Sequence, residues 1–223
     1  MLLAVAVGAL LVRLFPGTNP LDKWGFDLVA SSSAAPWRVI AALGSVPIVL
    51  AASLLGAVLA RRDRRRAVAC LLGPALAGLL TEIILKPLSG RELGGSLCFP
   101  SGHVTGAGAL VALGLLGTPR RWRAVGLGIA VAVLVAVMWA VVALGWHYPT
   151  DALAGAAVGA GSVLFVDAGI TALRRPWRRV SGSSSPRPGR RWRHRSLPAH
   201  RRPPSERGLH RPRRHLTSVV RRS

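Results

Sequence analysis

Long, uncharged blocks of apolar residues are the feature that most limits what this chain can fold into. The sequence is 51% hydrophobic but only 5% aromatic, and its apolar residues run together instead of alternating with polar ones. A helix needs ~20 such residues to cross a ~30 Å hydrocarbon layer. Six blocks approach that length, and they cover residues 1–15, 39–60, 67–85, 102–117, 124–144 and 150–173. We therefore predict an all-α fold, a six-helix transmembrane bundle over residues 1–173. With no basic segment before it, the first block is expected to be a retained helix and not a signal peptide.

Arginine is concentrated in the connections on one side of these blocks. Arg61–Arg66 joins the second and third blocks, and Pro119–Arg123 joins the fourth and fifth. Arginine-rich loops stay on the cytoplasmic side of a membrane, so both loops and the chain after the sixth block are predicted to be cytoplasmic. The remaining loops are predicted to face outward, and they cover residues 16–38, 86–100 and 145–150.

The last region, residues 174–223, contains 17 arginines and a single acid, Glu206. It has almost no aliphatic periodicity, so it cannot bury enough apolar surface to offset its ordering entropy, and we predict a disordered cytoplasmic tail. Its charge is expected to hold it against anionic lipid headgroups. Nucleic-acid binding is the rival interpretation of so many arginines, but the absence of a folded nucleic-acid module on this membrane anchor disfavours it.

Few charges fall inside the apolar blocks, because each costs a few kcal/mol near the bilayer centre. Glu82 precedes Lys86 by four residues, so the two share a helical face and are expected to pair. Asp167 has no evident partner, and a hydrogen bond to a neighbouring helix is the simplest interpretation. Gly155 and Gly159 have the four-residue spacing that favours close helix packing.

The segment Phe99–His103 begins the fourth block and contains one of the only two histidines before residue 194. A helix N-terminus there would offer unpaired backbone N–H groups and a partial positive charge, which together bind anions. Ser101 is suited to cap the helix, and Gly102 lets a ligand approach the backbone closely. A capped helix start without any ligand is the simpler alternative.

The other histidine, His147, precedes Asp151 by four residues at the start of the sixth block. If the helix extends back to His147, the carboxylate can orient the imidazole and leave its other nitrogen as a nucleophile. The same pair could instead form a structural hydrogen bond or, with His103, a metal site of two histidines and a carboxylate. Both motifs are predicted to lie on the outer face beside Lys86 and Arg91, and this combination favours one phosphate-handling site.

In these motifs the chain resembles the type 2 phosphatidic acid phosphatase superfamily of membrane lipid-phosphate phosphatases. The signature of that family is a Lys followed by Arg-Pro, then Pro-Ser-Gly-His, then Ser-Arg with a His and an Asp downstream. Lys86, the segment Pro100–His103, His147 and Asp151 match it. The resemblance spans the third to sixth blocks.

The resemblance implies a phosphohistidine mechanism that needs no metal or other cofactor. His147 would attack phosphorus, Asp151 would orient and stabilise it, and His103 would protonate the leaving oxygen. The phosphoryl oxygens would be bound by four residues, Lys86, Arg91, Ser101 and Gly102.

Two arginines of the family signature are absent. Leu93-Gly94 stands where Arg-Pro is expected, and Ala140-Val141 stands where Ser-Arg is expected. Losing a preorganised charge from such a site can cost on the order of 10²- to 10³-fold in rate. Arg91 could substitute in part, because a guanidinium binds two phosphoryl oxygens at once.

The function expected from the resemblance is an integral membrane phosphatase of the cell membrane, with its site on the extracytoplasmic face. A polyprenyl diphosphate, a phosphatidic acid and a phosphatidylglycerol phosphate all fit as the lipid substrate. Two alternatives on the same fold stay open. One is a non-catalytic lipid-phosphate binder or transporter, and the other is a phosphotransferase.

Overall fold

The computed structural model describes residues 8, 10, 12, 13, 18–29 and 34–174. Residues 8, 10, 12 and 13 are helical. The helices whose bounds are described are α1 Pro20–Val29, α2 Ala34–Ala42, α3 Val46–Leu59, α4 Arg64–Leu79, α5 Lys86–Ser89, α6 Gly102–Gly117, α7 Arg123–Ala143 and α8 Pro149–Arg174. A π-helical turn, Leu80–Leu85, joins α4 to α5, and a 3-10 turn, Arg120–Trp122, precedes α7. Strands β1 Glu92–Leu93 and β2 Ser96–Leu97 form one small antiparallel hairpin. Most of the predicted first helix and all but the first residue of the predicted tail lie outside the described residues.

Four helical stretches of the described chain are long and apolar enough to cross a membrane: Ala35–Leu59, Arg64–Ser89, Arg120–Ala143 and Pro149–Leu173. Helix α6 is also apolar, but it has only 16 residues. Large side chains on these stretches point away from the bundle, with Leu55 59% and Ile129 61% exposed. Such a surface favours aggregation in water but is the one that lipid chains contact. The predicted helical membrane protein is thus confirmed, with four of the six predicted crossings supported by length.

The loop predicted over residues 16–38 is wrong, because α1 and the start of α2 occupy most of it. Helix α1 begins at Pro20, a residue suited to a first helical turn. Asn19 caps this helix by accepting a hydrogen bond from the backbone N–H of Asp22 at 2.9 Å. Because three of the ten residues of α1 are charged, a search for uncharged blocks did not predict this helix.

Helices α6 and α8 are in direct backbone contact at two glycines of α8. A Cβ atom at Gly159 would lie 2.0 Å from the carbonyl oxygen of Thr105. One at Gly155 would lie 2.5 Å from the carbonyl oxygen of Ser101. Backbones come this close only where the side chain is absent, so the predicted close packing is confirmed. The contact sets the first turns of both helices side by side, where the N–H of Ser101 donates to the backbone oxygen of Asp151 at 3.0 Å.

An ion pair supplies the partner that the sequence did not reveal for Asp167. Arg65 Nε on α4 donates to Asp167 Oδ1 on α8 at 2.7 Å, and a second guanidinium nitrogen bonds to the other carboxylate oxygen. The expected hydrogen bond to a neighbouring helix is confirmed, and the partner is a cation. The pair joins α4 to α8 at the end of the bundle opposite to His147.

The end of α7 determines where His147 lies. Gly145 has a φ of 67°, which glycine adopts without strain. Its N–H bonds to the carbonyl oxygen of Val142 at 2.9 Å, and the N–H of Trp146 bonds to that of Val141 at 3.0 Å. This is a Schellman motif, which ends a helix within one residue. His147 therefore follows directly after a fixed turn.

The hairpin determines where the backbone of Cys98 lies. Gly94 and Gly95 join its strands with φ values of 58° and 78°, the mirror-image turn that suits a two-residue hairpin connection. Just beyond the strands, the N–H of Cys98 donates to the backbone oxygen of Arg91 at 2.9 Å. The carbonyl group of Cys98 is consequently held in a defined position beside the start of α6.

Candidate active site

The N-terminus of α6 begins as the sequence predicts. Ser101 is fully buried and caps the helix, because its hydroxyl accepts a hydrogen bond from the N–H of Val104 at 3.4 Å. A Cβ atom at Gly102 would lie 2.8 Å from Glu82 Oε1 and 4.0 Å from Lys86 Nζ. The absence of a side chain at Gly102 therefore lets two charged groups approach the first turn of α6.

Lys86 and Glu82 form the ion pair that their spacing predicts. Lys86 Nζ donates to Glu82 Oε2 at 2.8 Å. The lysine side chain is 18% exposed, whereas that of the glutamate is 54% exposed. Lys86, the cation predicted to bind phosphate, therefore lies beside the N-terminus of α6, where it is paired with the carboxylate of Glu82.

His147 is buried and its ring is held by the backbone. Its Nδ1 lies 2.9 Å from the carbonyl oxygen of Cys98. A carbonyl oxygen can only accept, so Nδ1 carries the proton and Nε2 keeps a free lone pair. Burial lowers the pKa of His147 to about 4, and the charges of Lys86 and His103 act in the same direction, whereas the hydrogen bond to Cys98 opposes them. The imidazole is therefore neutral at pH 7, the form in which Nε2 is nucleophilic.

Asp151 lies close to His147 but does not hydrogen-bond to it. Helix α8 begins at Pro149 and does not extend back to the histidine, which leaves Asp151 Oδ2 4.0 Å from Nδ1 of the ring. The carboxylate accepts instead from Arg91 at 2.8 Å and from the N–H of Tyr148 at 2.9 Å. The direct orienting contact expected from the four-residue spacing is replaced by the one from Cys98.

Arg91 lies behind the site, in a position that differs from the expected phosphate ligand. Its guanidinium is 3% exposed and bridges two buried carboxylates, donating to Asp151 at 2.8 Å and to Asp22 at 2.6 Å. It also donates to the hydroxyl of Thr150 at 2.8 Å and lies over the ring of Tyr148, 3.8 Å from the centroid. The side chain does not line the cavity that Lys86 and His147 face.

Asp22 is the residue of this cluster that sequence reasoning missed. It belongs to α1, is fully buried, and accepts hydrogen bonds from the N–H and the hydroxyl of Thr150 at 3.0 and 2.8 Å. An acid in a segment predicted to be a loop carries no signal of burial. Only the tertiary contact with Arg91 identifies it.

His103 lies in the first turn of α6, beside Trp146. Its ring is half-buried and lies 5.4 Å from the ring of Trp146, centroid to centroid, at an angle of 43°. His103, His147 and Lys86 all line one cavity of about 1010 Å³. The predicted site residues Ser101 and Asp151 support the walls from behind and are fully buried.

The cavity extends from these polar groups between α3 and α4. Beyond the site its walls are mostly apolar and include Leu50, Leu54, Leu71 and Ala75. A pocket of that size accommodates much of a lipid-sized molecule, with its polar end at the histidines. The metal alternative finds no support here, since no group of three His, Cys, Asp or Glu side chains in the described part of the chain is placed to hold an ion.

A comparison with known families agrees with the motifs. The model of the PAP2 superfamily matches residues 41–174, which include α3 to α8 together with Lys86, His103, His147 and Asp151. No curated protein and no solved structure matches the chain. The matched range is more than half of the sequence and contains every stretch of described helix long enough to cross a membrane, apart from the first residues of one. The protein is therefore a membrane protein that belongs to the PAP2 superfamily, whose members are generally phosphatases.

Proposed function

We propose that the protein hydrolyses the phosphate ester or diphosphate of a membrane lipid through a phosphohistidine at His147. The observation that carries this proposal is one cavity with His147, His103 and Lys86 at its polar end and apolar walls beyond. A lipid phosphate has the same division of polarity. Family membership supports the reaction class.

The chemistry follows from the tautomer of His147 and from two neighbours. Nε2 of His147 attacks phosphorus as the bond from phosphorus to the leaving oxygen breaks, and protonated His103 gives its proton to that oxygen. Water then attacks the phosphohistidine, its proton returns to His103, and the phosphorus–nitrogen bond breaks to release orthophosphate. Lys86 and the N–H groups of the α6 N-terminus stabilise the phosphoryl oxygens.

Asp151 acts through its charge in this scheme. An attack by Nε2 makes the His147 ring cationic, and a carboxylate oxygen 4.0 Å from Nδ1 stabilises that cation in a water-poor site. Cys98 fixes the tautomer and the ring plane. The two tasks that one acid performs in a catalytic triad are thereby divided between a backbone carbonyl and a side chain.

The orientation that we propose follows from the charge of the connecting loops. Arg61–Arg66 and Pro119–Arg123 lie at the end of the bundle away from His147, and arginine-rich loops stay in the cytoplasm. The site would then open on the extracytoplasmic face of the cell membrane. Sealed vesicles whose outer leaflet is the extracytoplasmic one test this orientation, because a substrate confined to that leaflet should be hydrolysed without permeabilisation.

The activity test uses full-length protein in detergent with a polyprenyl diphosphate, a phosphatidic acid and a phosphatidylglycerol phosphate, without added metal. We expect orthophosphate release from at least one of them. His147→Ala should reduce it by about 10³-fold or more, since loss of a nucleophile removes the covalent route. His200→Ala, a change of the same type in the basic C-terminal region, is the matched control and should leave the rate unchanged. Equal release by His147→Ala would overturn the proposal.

A lipid-phosphate binder without turnover is the second candidate, and the pairing of the charges favours it. In the described site Lys86 faces Glu82 and Arg91 faces two acids, so each of these cations is already neutralised. A binder would bind orthovanadate or a lipid phosphate but release no orthophosphate. The third possibility, a phosphotransferase, would form a phosphorylated product only when an alcohol or sugar acceptor is added.

A further inference from the structure

Helix α1 packs against the segment that carries the site, although it lies outside the residues matched by the family model. A Cβ atom at Gly25 would lie 2.3 Å from Pro149 Cγ, so the backbone of α1 packs directly against the Pro149 ring. At the adjacent residues, the rings of Phe26 and Tyr148 meet edge to face, with centroids 5.5 Å apart. These contacts fix α1 over the first turn of α8.

This contact brings the carboxylate of Asp22 to Arg91 and Thr150. One oxygen accepts from Arg91 at 2.6 Å, and the other accepts from the N–H and the hydroxyl of Thr150. A fully buried carboxylate is costly unless it is paired and hydrogen-bonded. Asp22 meets that condition only because α1 is held against Arg91 and the first turn of α8.

The charge of Asp22 changes the net charge of the cluster beside His147. Arg91 also bonds to Asp151, and with Arg91 alone the two opposite charges would cancel. Because Asp22 binds the other side of the same guanidinium, the cluster of two acids and one cation keeps a net negative charge. That charge lies beside the ring that becomes cationic when His147 attacks phosphorus.

We infer that Asp22 is a positioning residue of the site, which holds Arg91 and keeps the charge of Asp151 available to His147. Helix α1 accordingly contributes to the active site and does not only pack against it. The inference rests on the proposed function, since it assigns Asp22 a task in the same reaction. Asp22 touches neither substrate nor the reacting atoms, and it acts through Arg91 and Thr150.

The test compares Asp22→Asn with Asp27→Asn, a matched change at an exposed position of the same helix. Asp22→Asn keeps the shape and removes the charge. We expect kcat to fall about 10- to 100-fold, as for a group that positions and stabilises the reacting centre. KM should change by less than about threefold, because Lys86 and the α6 N-terminus still bind the phosphate. Asp27→Asn should match the wild type.

A milder variant covers the case in which Asp22→Asn does not fold. Thr150→Val removes the hydroxyl that donates to Asp22 but keeps both carboxylates and the arginine. It should lower kcat several-fold and leave KM within about threefold. A fall in the unfolding temperature with an unchanged kcat, in each of these variants that folds, would mean that α1 is only structural, and that result would overturn the inference.

Orthovanadate binding separates failure of this inference from failure of the proposed function. If the wild type releases phosphate and Asp22→Asn is equally active, the role inferred for Asp22 is wrong and the proposed function stands. A wild-type protein that binds vanadate without turnover still allows the comparison, and Asp22→Asn should then bind vanadate at least about fivefold more weakly because the vanadate forms a bond to His147. If the wild type neither binds vanadate nor releases phosphate, both proposals are wrong.

Discussion

His147 donates its Nδ1 proton to the backbone oxygen of Cys98, 2.9 Å away, whereas Asp151 Oδ2 lies 4.0 Å from the same nitrogen. The tautomer of the proposed nucleophile is thus set by a backbone carbonyl that cannot be protonated at ordinary pH. Because Cys98 is itself held by the turn that follows the β-hairpin, the loop between α5 and α6 orients a residue that follows α7.

The pH dependence of the reaction should reflect the low pKa of His147. Burial lowers that pKa to about 4, so the ring is neutral above pH 4 and is protonated as the pH falls through this value. We expect protonation of His147 to lower kcat/KM about tenfold per unit only below about pH 4. An NMR titration of the His147 ring with a midpoint near pH 6.5, the value of an exposed histidine, would contradict the buried geometry.

Replacing Arg91 should impair catalysis without weakening phosphate binding. In Arg91→Lys one ammonium cannot bridge Asp22 and Asp151 as the guanidinium does, so Asp151 loses its fixed position. We expect kcat to fall about 10- to 100-fold, with the inhibition constant of orthophosphate unchanged. If Arg91 binds the phosphoryl group, as its place in the sequence suggests, that inhibition constant should rise about tenfold instead.

Removing the charge of Glu82 should strengthen anion binding. Glu82→Gln leaves Lys86 free to meet an incoming phosphoryl oxygen, and an exposed ion pair is worth ~0.2–1 kcal/mol. The inhibition constant of orthovanadate should therefore fall about two- to fivefold. Glu92→Gln, at an exposed acid of the hairpin, is the control and should change it less. Weaker inhibition of Glu82→Gln by vanadate would show that Glu82 helps to build the site.

The contact between α6 and α8 should tolerate no added methyl group at Gly159. A Cβ atom there would lie 2.0 Å from a backbone oxygen, which no side-chain movement can relieve. We expect Gly159→Ala to destabilise the protein by about 1–3 kcal/mol, measured as thermal unfolding in detergent. Gly169→Ala, in the same helix with nothing within 4 Å of its Cβ position, should be neutral or stabilising. Equal effects of the two changes would mean that the helices are not this close.

Local signals in the sequence were sufficient for much of this structure. The apolar blocks predicted α6 at its observed bounds, and α7 and α8 to within one residue at each end. Four-residue spacing predicted the pairing of Glu82 with Lys86 and the packing of Gly155 and Gly159. These features depend on neighbours along one helix, which a sequence displays directly.

Contacts between distant segments could not be predicted from local sequence patterns. The spacing of His147 and Asp151 suggested a shared helical face, but the Schellman motif ends α7 just before the histidine and α8 starts after it. Asp22 and Arg91 are separated by 69 residues, and nothing in either local pattern indicates that they meet. The roles of Asp22 and of the Cys98 carbonyl therefore depended on the three-dimensional arrangement.

The most direct test of the central claim is the identity of the covalent intermediate. Full-length protein would be mixed with its lipid substrate, quenched in alkali within milliseconds and digested. Mass spectrometry would identify the phosphorylated residue, and phosphorus NMR would identify the ring nitrogen. Because Nδ1 of His147 is occupied by the Cys98 carbonyl, we predict phosphate on Nε2 of that residue and no phosphorylated peptide from His147→Ala. Turnover with phosphate on another residue, on Nδ1, or on no residue at any time would contradict the account.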